Sequence, residues 1–164
     1  MICMDISTIG AIIKNEREAC GLTQKALAFA SHVSRVTIVN LENGKVGDIG
    51  AVKLSEIAEN IGTSLFARGK KMDAIKMTLG NVNTSYKTAM SASDLEKLML
   101  SGKIVQGFEG QVLQLIDETP TALVVNAVKQ VAAKKKIKPK LLWKNLAKVA
   151  AEIKSPNKFW STIG

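Results

Sequence analysis

Residues 30–44 read ASHVSRVTIVNLENG. Ser34 is a good N-cap, so a helix is expected from Arg35 to about Leu41. Asn43-Gly44 supplies the turn chemistry that ends it. Just upstream, Thr23 is a fair cap for a second short helix, Gln24 to Ala30. The turn Ser31-His32-Val33 must then bend sharply. Ala28 is small where the two helices would cross. Leu27, Val33, Ile38 and Leu41 are placed to share a core.

Two helices joined by so short a turn can set the second in a DNA major groove. The surrounding text, IGAIIKNEREACGLTQKALAFASHVSRVTIVNLENGK, carries several features at fixed spacing: Arg17, Gly21-Leu22-Thr23-Gln24, Leu27-Ala28, Val33-Ser34, Ile38 and Leu41-Glu42-Asn43-Gly44. On these residues the chain, over about 9–65, resembles the Cro/C1-type (XRE) helix-turn-helix family of bacterial and phage DNA-binding domains. The resemblance implies roles. Gln24 would anchor a phosphate. Arg35, Val36 and Asn40 would face the groove, following the Ser34 cap, and Val39 would add an apolar contact. Thr37, Asn43 and Lys45 would hold the backbone. Arg17 would pair with Glu42 inside the domain. Arginine can grip a guanine edge and asparagine an adenine edge, each for about 1–3 kcal/mol of discrimination. Two positions depart from the pattern. His32 stands where the family has glycine, which costs something in a left-handed turn. Ser31 replaces an aliphatic residue, which should loosen the packing of the two helices.

Charge poses a problem for this reading. Residues 1–67 hold six Lys+Arg against seven Asp+Glu. Phosphate neutralisation dominates most DNA affinities, so such a head binds weakly alone. A homodimer on two half-sites would help through effective concentration. The other source is the far end of the chain. Residues 1–118 carry 13 Lys+Arg and 13 Asp+Glu, whereas residues 119–164 carry ten Lys and one acid, Glu152. The whole net charge of +9 therefore sits in the tail. Lys134, Lys135 and Lys136 precede Lys140, Lys144 and Lys148, which recur every fourth residue along one helix face. Three uses are open: a solvated face, a grip on DNA phosphates, or a dock for an acidic protein partner.

Helices are expected elsewhere too. Apolar residues are 46% of the chain and aromatics only 4%, which suits a Leu, Ile, Val, Ala and Met core. Ile9, Ile12, Ile13 and Cys20 fit one helix ended at Gly21. Val52, Leu54, Ile57, Ala58 and Ile61 fit another, about Ile49 to Ile61. Arg68-Gly69-Lys70-Lys71 is a basic break. IKMTL (75–79) fits a short strand or a helical turn, and NVNTSYKT (81–88) reads as exposed linker. Ser91-x-x-Asp94 is a capping box. Phe108 to Asp117, Thr121 to about Lys135 (capped by Thr119 with Pro120 at its first position) and Pro139 to about Lys154 complete a small bundle. The expected fold is all-α: a five-helix Cro/C1-type domain over 1–67, a linker over 68–90, and a basic helical C-terminal domain over 91–164.

Several classes fall away. Cys3, Cys20 and His32 offer no metal spacing, and no cofactor is expected. The apolar run Ile9 to Ile13 is too short for a membrane span or signal peptide. The lysine-lined helix has an ordinary core stripe, unlike a membrane-surface helix. Asn83-Thr84-Ser85 matches a glycosylation sequon, but a cytoplasmic setting fits everything else. No nucleophile, base or paired-carboxylate arrangement suggests an enzyme. Trp143, Phe159 and Trp160 are expected to pack. The sequence thus points to a DNA-binding transcription regulator, a dimeric repressor, with double-stranded DNA as its partner. Head and tail together also loosely resemble members of this family that act as antitoxins to nucleotidyltransferase-like toxins, through DIG (48–50) and NTSYK (83–87). In that alternative the C-terminal bundle holds the toxin.

Overall fold

The computed structural model describes residues 5–63 and 73–163. Its elements are α1 (Ile6–Ala19), α2 (Gln24–Ala30), α3 (Arg35–Glu42), α4 (Ala51–Glu59), α5 (Ala74–Val82), α6 (Ala92–Ser101), α7 (Glu109–Asp117), α8 (Thr121–Lys135), α9 (Pro139–Glu152) and a closing 3-10 helix (Lys158–Thr162). Among the described residues there is no strand. The basic break at 68–71, the expected boundary beside it and Cys3 lie outside the described residues.

Local chemistry starts most of these helices. Asp5, Thr23, Ser34, Asp73 and Ser91 each accept a backbone N–H three residues ahead. Ser91 and Asp94 form the full reciprocal box. Pro139 opens α9 after Lys138.

Two expectations need correction. First, IKMTL takes the helical alternative and not the strand, but as part of a nine-residue helix, α5, which also takes up part of the expected linker. Ile75, Thr78 and Val82 are buried along one face of it, with Leu79 half-buried beside them. It packs on α8, α7 and α6. The loop after it is also tied down: Asn83 donates to the Met90 carbonyl (3.0 Å) and accepts the Met90 N–H (2.8 Å). Second, Thr119 does not cap α8. Pro120 takes the cap position, and the Thr119 hydroxyl, buried, reaches Asn81 Oδ1 at 2.8 Å instead. This bond fastens the end of α5 to the α7–α8 corner.

The hydrophobic core is continuous from Ile13 in α1 to Trp160 near the end. Trp143, Phe159 and Trp160 form its aromatic centre, with ring centroids 5.3–6.3 Å apart. The two ends of the chain meet there. Trp143 Nε1 donates to the Cys20 carbonyl at 2.7 Å. Gly21, at φ 70, lies under the start of α9; a Cβ there would stand 2.9 Å from the Lys140 nitrogen. Lys129 on α8 pairs with Glu16 on α1 at 2.8 Å. Burial pushes the Cys20 thiol pKa up, and its Sγ lies 3.3 Å from the Ile61 carbonyl.

Candidate nucleic-acid interface

α3 packs against both α1 and α2. Leu27, Ile38 and Leu41 are fully buried, as is Ile13 on α1. At the crossing, Gly10 of α1 touches the backbone of α3 near Leu41. The bend between α2 and α3 runs through His32 at φ 52, a left-handed residue. The Val33 N–H donates to the Ala28 carbonyl at 3.0 Å, closing the end of α2. Ser31 is only 1% exposed, and its hydroxyl is not stranded. Asn60, just past α4, donates from Nδ2 to Ser31 Oγ (3.3 Å) and to the Ala30 carbonyl (3.2 Å). The polar substitution thus has a polar partner, and the joint is held by hydrogen bonds where an aliphatic contact was expected to be lost.

Arg17 and Glu42 form a buried, two-pronged pair: Nε to Oε1 at 2.6 Å and Nη2 to Oε2 at 3.0 Å. Arg17 also donates to the Leu22 carbonyl at 2.8 Å. The pair therefore links α1, the α1–α2 turn and the end of α3. Gln24 joins it, with Nε2 donating to Glu42 Oε2 at 2.9 Å. Gln24 is half-buried, and this bond uses one of the two N–H groups of its amide nitrogen.

The outward stripe of α3 remains. Arg35, Val36 and Asn43 are exposed; Thr37, Val39 and Asn40 are half-buried. Val36 is 65% exposed, although the core lies one turn away. Lys45 is exposed after the helix. The Ser34 hydroxyl is engaged at the cap, 3.0 Å from the Thr37 N–H and 2.9 Å from Thr37 Oγ1.

The lysines divide into two sets. Lys134 and Lys135 both reach Glu96, a buried carboxylate on α6, at 2.5 and 2.8 Å. The Lys134 hydrogen bond, then that of Lys135, holds the Glu96 pKa below the ordinary carboxylate value. Lys136, Lys140, Lys144 and Lys148 are exposed and have no carboxylate partner among the described residues. Nothing in the sequence marked Glu96 as the partner, because it lies on a different helix from the lysines it holds.

The helix-turn-helix family model matches residues 13–67. Over these residues the chain is similar to helix-turn-helix domains. The match covers about a third of the chain and takes in α1 from Ile13 through α4. The family is one of DNA-binding transcription regulators, and in this segment α3 packs on α1 and α2 through buried Ile38, Leu41 and Glu42. Searches of curated proteins and of solved structures found no match to the chain. No helix among the described residues is long and apolar enough to cross a membrane, and none of their His, Cys, Asp or Glu side chains cluster as a metal site would require.

Proposed function

We propose that the protein is a sequence-specific repressor that reads the DNA major groove with α3 and acts as a homodimer in the cytoplasm. The observation that carries this reading is the outward stripe of α3. Val36, Val39, Asn40 and Asn43 follow helical spacing on the side opposite buried Ile38 and Leu41. An exposed valine beside arginine and asparagine suits thymine methyls between hydrogen-bonded base edges. The near-neutral charge of residues 1–67 favours two heads on two half-sites, because a single head gains little from phosphate.

The test is base preference. Arg35→Ala is expected to lose discrimination at one position of a selected operator, by about 1–3 kcal/mol. Binding to unrelated duplex should fall far less. Competition binding against a panel of single-base operator variants measures both. A loss spread evenly over all variants would remove Arg35 as a reader.

A second reading rests on a different observation. Leu141 is 48% exposed and sits next to Lys140, in the row Lys140, Lys144 and Lys148. A cationic row with an apolar member suits an acidic protein surface, such as that of a toxin partner. Under this reading the C-terminal helices hold the partner, and DNA binding is autoregulatory. The triple variant Lys140→Ala/Lys144→Ala/Lys148→Ala is then expected to lose the complex with the product of the neighbouring gene. The salt slope of its DNA binding should stay unchanged. A slope lower by about three would assign the row to phosphates instead.

A further inference from the structure

Beside α3 lies an open cleft of about 580 Å³ that the two ends of the chain build together. One wall is the first turn of α2, Thr23 to Lys25, with Arg35 at its rim and Arg17 among its lining residues. The other wall is Ser161, Thr162 and Ile163. The walls are joined: Thr23 Oγ1 donates to the Thr162 carbonyl at 2.9 Å. Phe29 of α2 lies against Phe159, with ring centroids 6.4 Å apart. The Thr162 hydroxyl donates to the Phe159 carbonyl at 2.5 Å, which keeps the 3-10 turn closed.

The charges in this cleft are unequal. Arg17 is neutralised by Glu42. Lys25 and Arg35 are exposed and meet no carboxylate among the described residues. Glu18 is turned to Arg17 at 3.4 Å. The Ser161 hydroxyl is exposed and makes only a local bond, to the Lys158 carbonyl at 2.7 Å. Lys158 itself is exposed on the same turn. Two uncompensated cations and an exposed hydroxyl that can trade its local bond for a phosphate oxygen suit a singly charged phosphodiester around an open cleft. The cleft also adjoins the first residue of α3, so a duplex seated on that helix brings its backbone past the opening.

We propose that this cleft is a phosphate site for the DNA backbone, made jointly by the first turn of α2 and the C-terminal segment Ser161–Ile163. It rests on the reading of α3 given above. Lys25 and Ser161 make the contact, and Arg35 adds field at the rim. Lys25 adds its charge beside Gln24, whose amide keeps a second N–H besides the one given to Glu42. The C-terminal segment becomes part of the DNA interface.

The experiment uses the full chain with an operator duplex and an unrelated duplex. Backbone amide shifts are followed by NMR, and affinities are measured over a salt series. Duplex is expected to shift the amides of Val36, Val39, Asn40 and Asn43 together with those of Ser161 to Ile163. Lys25→Ala should lower the slope of log affinity against log salt by about one, equally on both duplexes. Ser161→Ala should weaken both about 3- to 10-fold. Both residues are exposed, so unchanged melting curves will show that the fold is kept. If the α3 amides move while 161–163 stay still and the Lys25→Ala slope is unaltered, the cleft proposal falls and the α3 reading stands. If no duplex moves any amide, both fall. If inorganic phosphate shifts residues 161–163 and duplex does not, the cleft serves a small phosphate ligand and the proposal is overturned.

Discussion

Gly10→Ala is expected to destabilise the protein by about 3–5 kcal/mol, lowering the melting temperature by roughly 10 °C. Alanine is the better helix former, so propensity alone predicts a small gain. Geometry outweighs it. A Cβ at Gly10 would stand 1.9 Å from the Leu41 carbonyl oxygen and 2.9 Å from its carbon. Both are backbone atoms of α3, so no side chain can swing away. α1 must lift off α3, opening the core around Ile13, Ile38 and Leu41. Gly80→Ala in α5 is the matched control, because an added Cβ there meets nothing within 4 Å. That variant should gain about 0.5–1 kcal/mol. Thermal melts of the two variants should therefore move in opposite directions. If Gly10→Ala melts as the parent does, the close crossing of α1 and α3 is wrong.

Glu42→Ala is the second large effect, at about 3–5 kcal/mol. The Arg17 and Glu42 side chains are only 9% and 2% exposed, so water does little to screen the loss. The truncation strands a buried guanidinium and frees the Gln24 amide at once. The damage comes from the orphaned charge more than from the worth of the pair. The double variant Arg17→Met/Glu42→Leu should accordingly be more stable than Glu42→Ala alone. Urea unfolding of these variants and of Arg17→Met checks the sign. A double variant as unstable as the sum of its single changes would mean that the charges themselves hold the joint.

Much of the domain was legible because its signals are local. A capping serine, a buried i, i+3 pair and a terminal Asn-Gly are enough to place α3. Pro139 marked the start of α9 for the same reason. What was missed depends on distant partners. α5 is short and carries Gly80 and Asn81, which read as breakers; its stability comes from burial against α8. Ser31 looked like a packing defect until Asn60, 29 positions on, supplied its hydrogen bond. Gln24 matched a phosphate-anchoring position, and nothing local announced the bond from its amide to a carboxylate 18 positions away. The lysines read as one basic face, but Lys134 and Lys135 turn to Glu96, 38 and 39 positions away. Spacing along the chain can nominate a donor; only the fold says which acceptor it meets.

The bonds from Trp143 to Cys20 and from Thr23 to Thr162 join residues 123 and 139 positions apart. A ribosome adding about 5–20 residues per second needs roughly 7–28 s to cover the longer gap. For most of that interval the α1–α2 turn has been made but the tryptophan that seats it has not, and the closing 3-10 turn comes last. The helix-turn-helix segment is therefore synthesised first and finished last. A chain halted before Trp143 would carry all of α1 to α4, yet lack the tryptophan that the Cys20 carbonyl meets.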